Sequence, residues 1–281
     1  MKGGYTLKIP PQTVIEPVSS WQFIDLKELR QYKDLFIFLV YRDIKVLYKQ
    51  TILGFSWAII RPLFSMIVFS VVFGRLAKIP SDGIPYPIFS YAALVPWMYF
   101  STSMAKSTQS LIAEANMLTK VYFPRVIIPM TPVLAGLIDF VIAFSILGVM
   151  MVWYRIPPTL NVVFLPLLVV LMVLTASGIG MWLSALAIQY RDIRHATGFI
   201  VQLLMYAAPV VWPASLIPER FRLFYGLYPM AGVIEGFRAC LIGTNPMPWD
   251  LIGMGSLSAF AIVFFGSFYF LRMERVFADV A

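Results

Sequence analysis

Apolar positions along this chain gather into six long blocks, roughly 52–73, 86–104, 126–153, 162–188, 196–212 and 251–271, and polar positions collect between them. A helix needs about 20 apolar residues to cross the hydrocarbon core, so the pattern predicts six transmembrane helices. Ahead of the first block, residues 25–50 alternate with a helical period. Leu29, Leu35, Phe36, Leu39, Val40, Ile44 and Leu47 are apolar, with Lys and Arg between them. Such a segment is too charged to span and too apolar to stay free, and it is expected to lie in the membrane interface. A solvated linker with anchoring lysines is the alternative. Residues 1–24, with Pro10, Pro11 and Pro17, predict an extended arm.

Two inter-block segments carry their own pattern. Residues 108–120 predict a short helix in which Leu111, Ala115 and Leu118 share one face while Glu114 and Asn116 point away. It suits either docking on a soluble partner or a plain connection. Residues 213–250 hold two helical stretches separated by Gly226 and Pro229. They are too interrupted to span, and their length predicts a re-entrant hairpin dipping in from the outer face. Between the blocks, Thr51-Ile52-Leu53-Gly54 joins the surface helix to the first span. Arg61-Pro62 lies inside that span.

Composition turns this pattern into a class. The chain is 60% hydrophobic and 13% charged, with a mean hydropathy of +0.80, which marks an integral membrane protein. Of its 22 Lys and Arg, 15 fall on the side of the two termini and six in the opposite loops. That bias predicts both termini in the cytoplasm, and the net charge of +8 then reflects topology and anionic lipid rather than nucleic acid. No cleavable signal peptide is expected, because the first apolar run begins at Leu35 and is short. Cys240 and His195 are each single, which excludes an internal disulfide and a His-based metal site.

Candidate chemistry is sparse. The chain lacks the G-x-x-x-x-G-K-S/T pattern of a P-loop, and Gly178-Ile179-Gly180 sits in mid-helix, where it predicts helix packing. Asp139 lies within the third span, without a second acid or histidine to relay protons, and a bond to a neighbouring helix is the favoured role. Arg61 is expected either to pair with Asp139 or to face a wet lumen and attract an anionic head group. The acids Asp82, Glu219, Glu235 and Asp250 are scattered over the outer segments, which disfavours a membrane enzyme acting on lipid-linked sugars.

The order of short motifs is more specific than any one of them. Tyr41-Arg42-Asp43-Ile44-Lys45, Tyr48-Lys49-Gln50-Thr51-Ile52-Leu53-Gly54 and Trp57-Ala58 come first. Pro96-Trp97, Lys120-Val121-Tyr122-Phe123-Pro124-Arg125, Tyr190-Arg191-Asp192-Ile193-Arg194 and Tyr228-Pro229-Met230 follow. From about Leu29 onward the chain resembles the membrane permease of type-2 ABC exporters that move lipid-linked polysaccharides such as O-antigen, capsule or teichoic acid polymers. The resemblance implies an all-α integral membrane fold in the bacterial inner membrane. It comprises an arm (1–24), an amphipathic gate helix (25–50) and a six-helix permease domain (51–281), with a coupling helix near 108–120 and a periplasmic hairpin near 213–250.

Partners and sites follow from the same resemblance. Two permeases and two copies of a separate ABC ATPase would form the transporter, with ATP and Mg on the ATPase and no cofactor or nucleic acid on this chain. ATPase contacts would fall on Leu111, Glu114, Asn116, Leu118, Arg191 and Arg194. A gate of Arg42, Lys45, Lys49, Leu53 and Gly54 would receive the head group of an undecaprenyl-pyrophosphate-linked polymer. Trp57, Arg61, Trp97, Tyr99 and Phe100 would line the channel. Arg61 departs from the resemblance, since many members of that family carry an uncharged residue there. A permease for a drug or small lipid and a non-transporting scaffold are the rival expectations.

Overall fold

The computed structural model describes residues 26–49, 56–243 and 245–274, and every regular element among them is helical. The arm at 1–24 and the Leu53-Gly54 joint lie outside the described residues. Two surface helices come first, α1 (Leu26–Gln31) and α2 (Lys33–Lys49). They run on almost without a break, since Tyr32 N–H bonds Glu28 O and Phe36 N–H bonds Tyr32 O. Next comes α3 (Ser56–Phe69), which widens into a π-helical stretch (Ser70–Leu76). After it follow α4 (Tyr86–Ala113), α5 (Ala115–Leu118), α6 (Ile127–Tyr154) and α7 (Leu165–Gln189). The chain closes with α8 (Ile193–Ala207), α9 (Glu219–Gly226), α10 (Pro229–Leu241) and α11 (Trp249–Met273).

Four helical segments, Ser56–Leu76, Ile127–Tyr154, Leu160–Gln189 and Trp249–Met273, are long and apolar enough to cross a membrane. The chain is thus a multi-pass membrane protein. The other two predicted spans differ from these. α4 is 28 residues long but ends in a polar third, and it is wrapped by α3, α6, α7, α8 and α10. A helix hidden from lipid can carry polar groups if each finds a partner. Tyr91 and Tyr99 donate to the Ala143 and Val133 carbonyls of α6 at 3.2 and 2.9 Å. Ser107 donates to Pro129 O at 2.7 Å, and Thr108 bonds back to Met104 O at 2.8 Å. The fifth predicted span is shorter than expected, because α8 stops at Ala207 and a run of turns and bends leads on to Pro213.

The predicted separate helix over 108–120 is not found. Instead α4 continues through Lys106 and Leu111 to Ala113, breaks at Glu114 and resumes as the four-residue α5. The physical reason is packing. Leu111 and Leu118 are buried in a cluster with Leu39, Phe123, Ile127, Met181 and Phe270, so core contacts hold the α4 extension in place. Of the predicted hairpin, only the second arm is buried. All 13 residues of α10 are buried, whereas most of α9 is exposed.

Helix approach depends on glycine at a few crossings. Residues two apart on a helix lie on nearly opposite sides. Accordingly Gly178 turns to α11, where an added Cβ would stand 2.8 Å from Val263 N, while Gly180 turns to Ser107 of α4. Across the first crossing, a Cβ on Gly266 would collide with the Gly178 carbonyl oxygen. Gly266→Ala should therefore cost about 3 kcal/mol, the upper end for overpacking, because backbone cannot move aside as a side chain can. Gly148→Ala, with nothing within 4 Å of the new methyl, should leave thermal unfolding in detergent unchanged or slightly later. Equal melting of the two variants would contradict the tight α7–α11 crossing.

At the α9 end of the molecule one buried arginine organises the broken backbone. Arg238 of α10 and Glu235 are 4% and 7% exposed and pair at 2.8 Å. The guanidinium also donates to Val210 O at 3.0 Å, Phe89 O at 3.3 Å and Trp212 O at 3.5 Å, and lies 3.6 Å from the Phe89 ring centroid. Glu235 in turn accepts the Ala214 N–H at 3.1 Å. The turns after α8 leave the Val210 and Trp212 carbonyls without helical partners, and Arg238 supplies them. Counting Arg238 among the outer-loop charges is therefore corrected, because its charge is internal and paired.

Candidate functional site

The polar residues of the α2 end converge on a cavity of about 310 Å³ enclosed by α2, α3, α4 and α6. Its walls follow helical spacing. From α4 come Val95, Met98, Tyr99, Thr102, Ser103 and Lys106, three or four residues apart, and from α6 come Pro132, Gly136, Asp139, Phe140 and Ala143. The stripe on α4 changes from apolar to cationic along its length. Gly136 lets the two helices close up, since a Cβ there would stand 2.8 Å from Ser103 Oγ. From α3 come Trp57, Ala58, Arg61 and Pro62, and from α2 come Leu47 and Tyr48.

Asp139 accepts a hydrogen bond from Tyr48 OH at 2.5 Å. The neighbouring helix expected to hold this acid is thus the surface helix α2. Arg61 does not pair with it. The guanidinium is exposed, stacks 5.5 Å from the Trp57 ring centroid, and makes no salt bridge among the described residues. Arg61 borders the cavity instead.

A second hollow of about 230 Å³ lies beside the first, bounded by Leu39, Arg42, Asp43, Gln109, Glu114 and Thr131 among others. Lys106 and Pro132 border both spaces. Here Arg42 Nη2 bonds Glu114 Oε1 at 2.5 Å and Asp43 Oδ1 at 2.9 Å. Partial burial works against the guanidinium, but the bonds to Glu114 and Asp43 outweigh it and raise the Arg42 pKa above its ordinary value. Two polar clasps, Arg42–Glu114 and Tyr48–Asp139, therefore tie α2 to α4 and α6.

The other predicted site residues separate into groups. Lys45 and Lys49 are exposed on α2, with the Lys45 ammonium 4.4 Å from the Tyr41 ring centroid. Arg42, expected to be open to a head group, is engaged by Glu114. Asn116, Arg191 and Arg194 are exposed, while Leu111 and Leu118 are consumed by the protein's own core and offer no surface. Among the predicted channel residues, Trp57, Arg61 and Tyr99 border the cavity. Trp97 and Phe100 are 3% and 0% exposed, do not border it, and pack in the main core. Two features escaped the sequence reading. Lys106 lies on the same stripe as Val95 and Tyr99, and extending that period by two turns would have found it. Val121 and Tyr122, exposed beside Lys120, form an apolar tip on the α5–α6 connection that nothing in the local pattern distinguishes from a core pair.

Comparison with known proteins gives the family. The ABC-2 type transporter family matches residues 34–242. An O-antigen export system permease protein of Myxococcus xanthus is 30% identical over 217 residues, covering 76% of this chain and 82% of that protein. A Klebsiella pneumoniae protein of the same description is 26% identical over 248 residues, covering 88% and 95%. A polysialic acid transport protein of Escherichia coli is 23% identical over 202 residues, covering 70% and 77%.

Proposed function

The chain belongs to the ABC-2 type transporter family, and from that premise we propose that it is the membrane subunit of an ATP-driven polysaccharide exporter. Relatives described as O-antigen export permeases span most of its length, which supports a polymer as cargo. The geometry adds the observation that carries the reading. A basic surface helix is clasped against the core and overlies a cavity that carries two cations, Arg61 and Lys106, against one acid, Asp139, among apolar and aromatic side chains. That combination suits a substrate with an anionic lipid head and a sugar chain.

On this reading the α2 end is cytoplasmic, both termini lie there, and the membrane is the bacterial inner membrane. Six helices span it, α4 and α8 completing the four apolar ones, and α10 is the buried arm of a re-entrant segment on the periplasmic side. A separate ABC ATPase, present in two copies with its own ATP and Mg, docks on the α5–α6 connection. Asn116, Lys120, Tyr122, Arg191 and Arg194 are the exposed candidates for that contact. The polymer passes between two copies of this chain. Apolar side chains left open on α3, such as Phe64, Ile67 and Val68, and on α8, such as Phe199, Leu203 and Tyr206, are available to lipid or to the second copy. Lys45 and Lys49 meet the arriving pyrophosphate, and Arg42–Glu114 passes motion of the α4–α5 junction to α2.

The test is complementation. In a host lacking its own permease, this chain co-expressed with its ATPase should restore polymer at the cell surface, and purified complex should hydrolyse ATP faster than the ATPase alone. Intracellular accumulation of lipid-linked polymer despite a folded, ATP-hydrolysing complex would sink the polysaccharide reading. Resistance to a small hydrophobic drug in the same cells would favour the small-molecule permease instead.

A further inference from the structure

We propose that Arg61 and Lys106 form an anion site inside the cavity that takes the phosphate groups of a lipid head, separate from the basic outer face of α2. This rests on the exporter reading and identifies where the head group is held after it leaves the surface. Charge comes first. Arg61 and Lys106 both border the cavity, Asp139 is the single acid on its wall, and neither cation makes a salt bridge among the described residues. Asp139 is already engaged by Tyr48. Cations held at membrane depth without carboxylate partners are costly, and an anionic ligand that reaches both relieves that cost.

A second observation points the same way. Ser103 Oγ, on a residue 1% exposed in the same wall, has only the Tyr99 hydroxyl beside it and no well-aligned hydrogen-bond partner among the described residues. A buried hydroxyl without a partner is rare, and a phosphate oxygen would give it one. The shape of the site then selects among anions. Trp57, Met98 and Phe140 form apolar wall beside the charged groups. Free phosphate would leave that surface wet, whereas a phosphate attached to an alkyl chain covers it. Arg61 and Trp57 are exposed, so the cavity is open on the α3 side, where a lipid could slide in without its head crossing the core.

The experiment uses the full chain in detergent micelles, without ATPase or polymer, and measures binding by calorimetry. Farnesyl diphosphate is the lipid-phosphate probe, with farnesol and inorganic pyrophosphate as the other two arms. Farnesyl diphosphate should bind most tightly, and R61Q combined with K106Q should weaken it about tenfold or more, as loss of charge-assisted contacts predicts. K33Q, on an exposed lysine away from the cavity, should change nothing. D139N should tighten binding, because Asn still accepts the Tyr48 hydrogen bond while the repelling charge is gone. A misfolded variant would not produce that gain.

Unchanged affinity in the double variant would overturn the site, as would unchanged or weaker affinity in D139N. Farnesol binding as tightly as the diphosphate would reduce the site to an apolar pocket, and pyrophosphate binding as tightly would overturn the lipid assignment. Each of these failures leaves surface export in the complementation assay untouched. Loss of export with binding intact would instead fall on the exporter reading.

Discussion

Arg238→Met should be the most damaging single substitution in this protein, lowering its stability by about 3–5 kcal/mol, the range for removing one partner of a buried ion pair. The pair is almost fully enclosed, so Glu235 would be left as an uncompensated charge with Ala214 N–H as its other partner. The carbonyls of Phe89, Val210 and Trp212 would lose their donor at the same time. Adding Glu235→Leu should recover only part of the loss, because it removes the stranded acid but leaves the non-helical carbonyls of Val210 and Trp212 without their donor. The measurement is thermal unfolding of the purified protein in detergent, with size-exclusion profiles to detect aggregation. A single variant melting with the wild type would show that Arg238 does not hold the 208–214 segment. Full recovery in the double variant would show that the ion pair alone matters, not the carbonyls.

The second large effect is expected in transport, with stability unchanged. Arg42→Glu should reduce polymer export by about an order of magnitude or more, because it sets like charges against each other at the α2–α4 clasp. Arg42 and Glu114 side chains are 34% and 27% exposed, so solvent screening limits the pair to about 1 kcal/mol or less of static stability. Melting should therefore barely move. If the clasp transmits motion from the α4–α5 junction to α2, restoring its charge complementarity should restore export. The exchange Arg42→Glu with Glu114→Arg is the decisive arm, although Asp43 stays beside the clasp and makes its recovery incomplete. Export at the wild-type level in the single variant, or none in the exchange variant, would contradict coupling through this contact.

Much of the fold was legible because lipid imposes a local rule. A residue facing hydrocarbon must be apolar and every backbone group must be bonded within its own segment, so long apolar blocks mark helices without reference to the rest of the chain. The same local logic revealed the amphipathic α2 and assigned Gly178-Ile179-Gly180 to packing. It failed where neighbours change what a residue experiences. α4 reads as ending near Met104, and a separate helix as starting at Thr108, because Lys106 and Ser107 look like loop. In the folded protein these residues are screened by α6 and α7, and the helix continues for more than another turn. Leu111 and Leu118 read as one face offered to a partner, yet the same apolar face is satisfied by Leu39 and Phe270 of this chain.

The candidate site divides along the same line. By itself the sequence determined an all-helical membrane protein, a basic surface helix ahead of the first span, and an arginine inside that span. These depend on composition, on period and on motifs, all of which are local. Only the tertiary structure decided that Arg42 meets Glu114 across 72 positions, that Tyr48 meets Asp139 across 91, and that Lys106 and Arg61 border one cavity. It also turned Arg238 from a loop charge into the buried anchor of α10. Such pairings are set by how helices cross, and a crossing is chosen by the fit of both surfaces at once, which neither helix encodes alone.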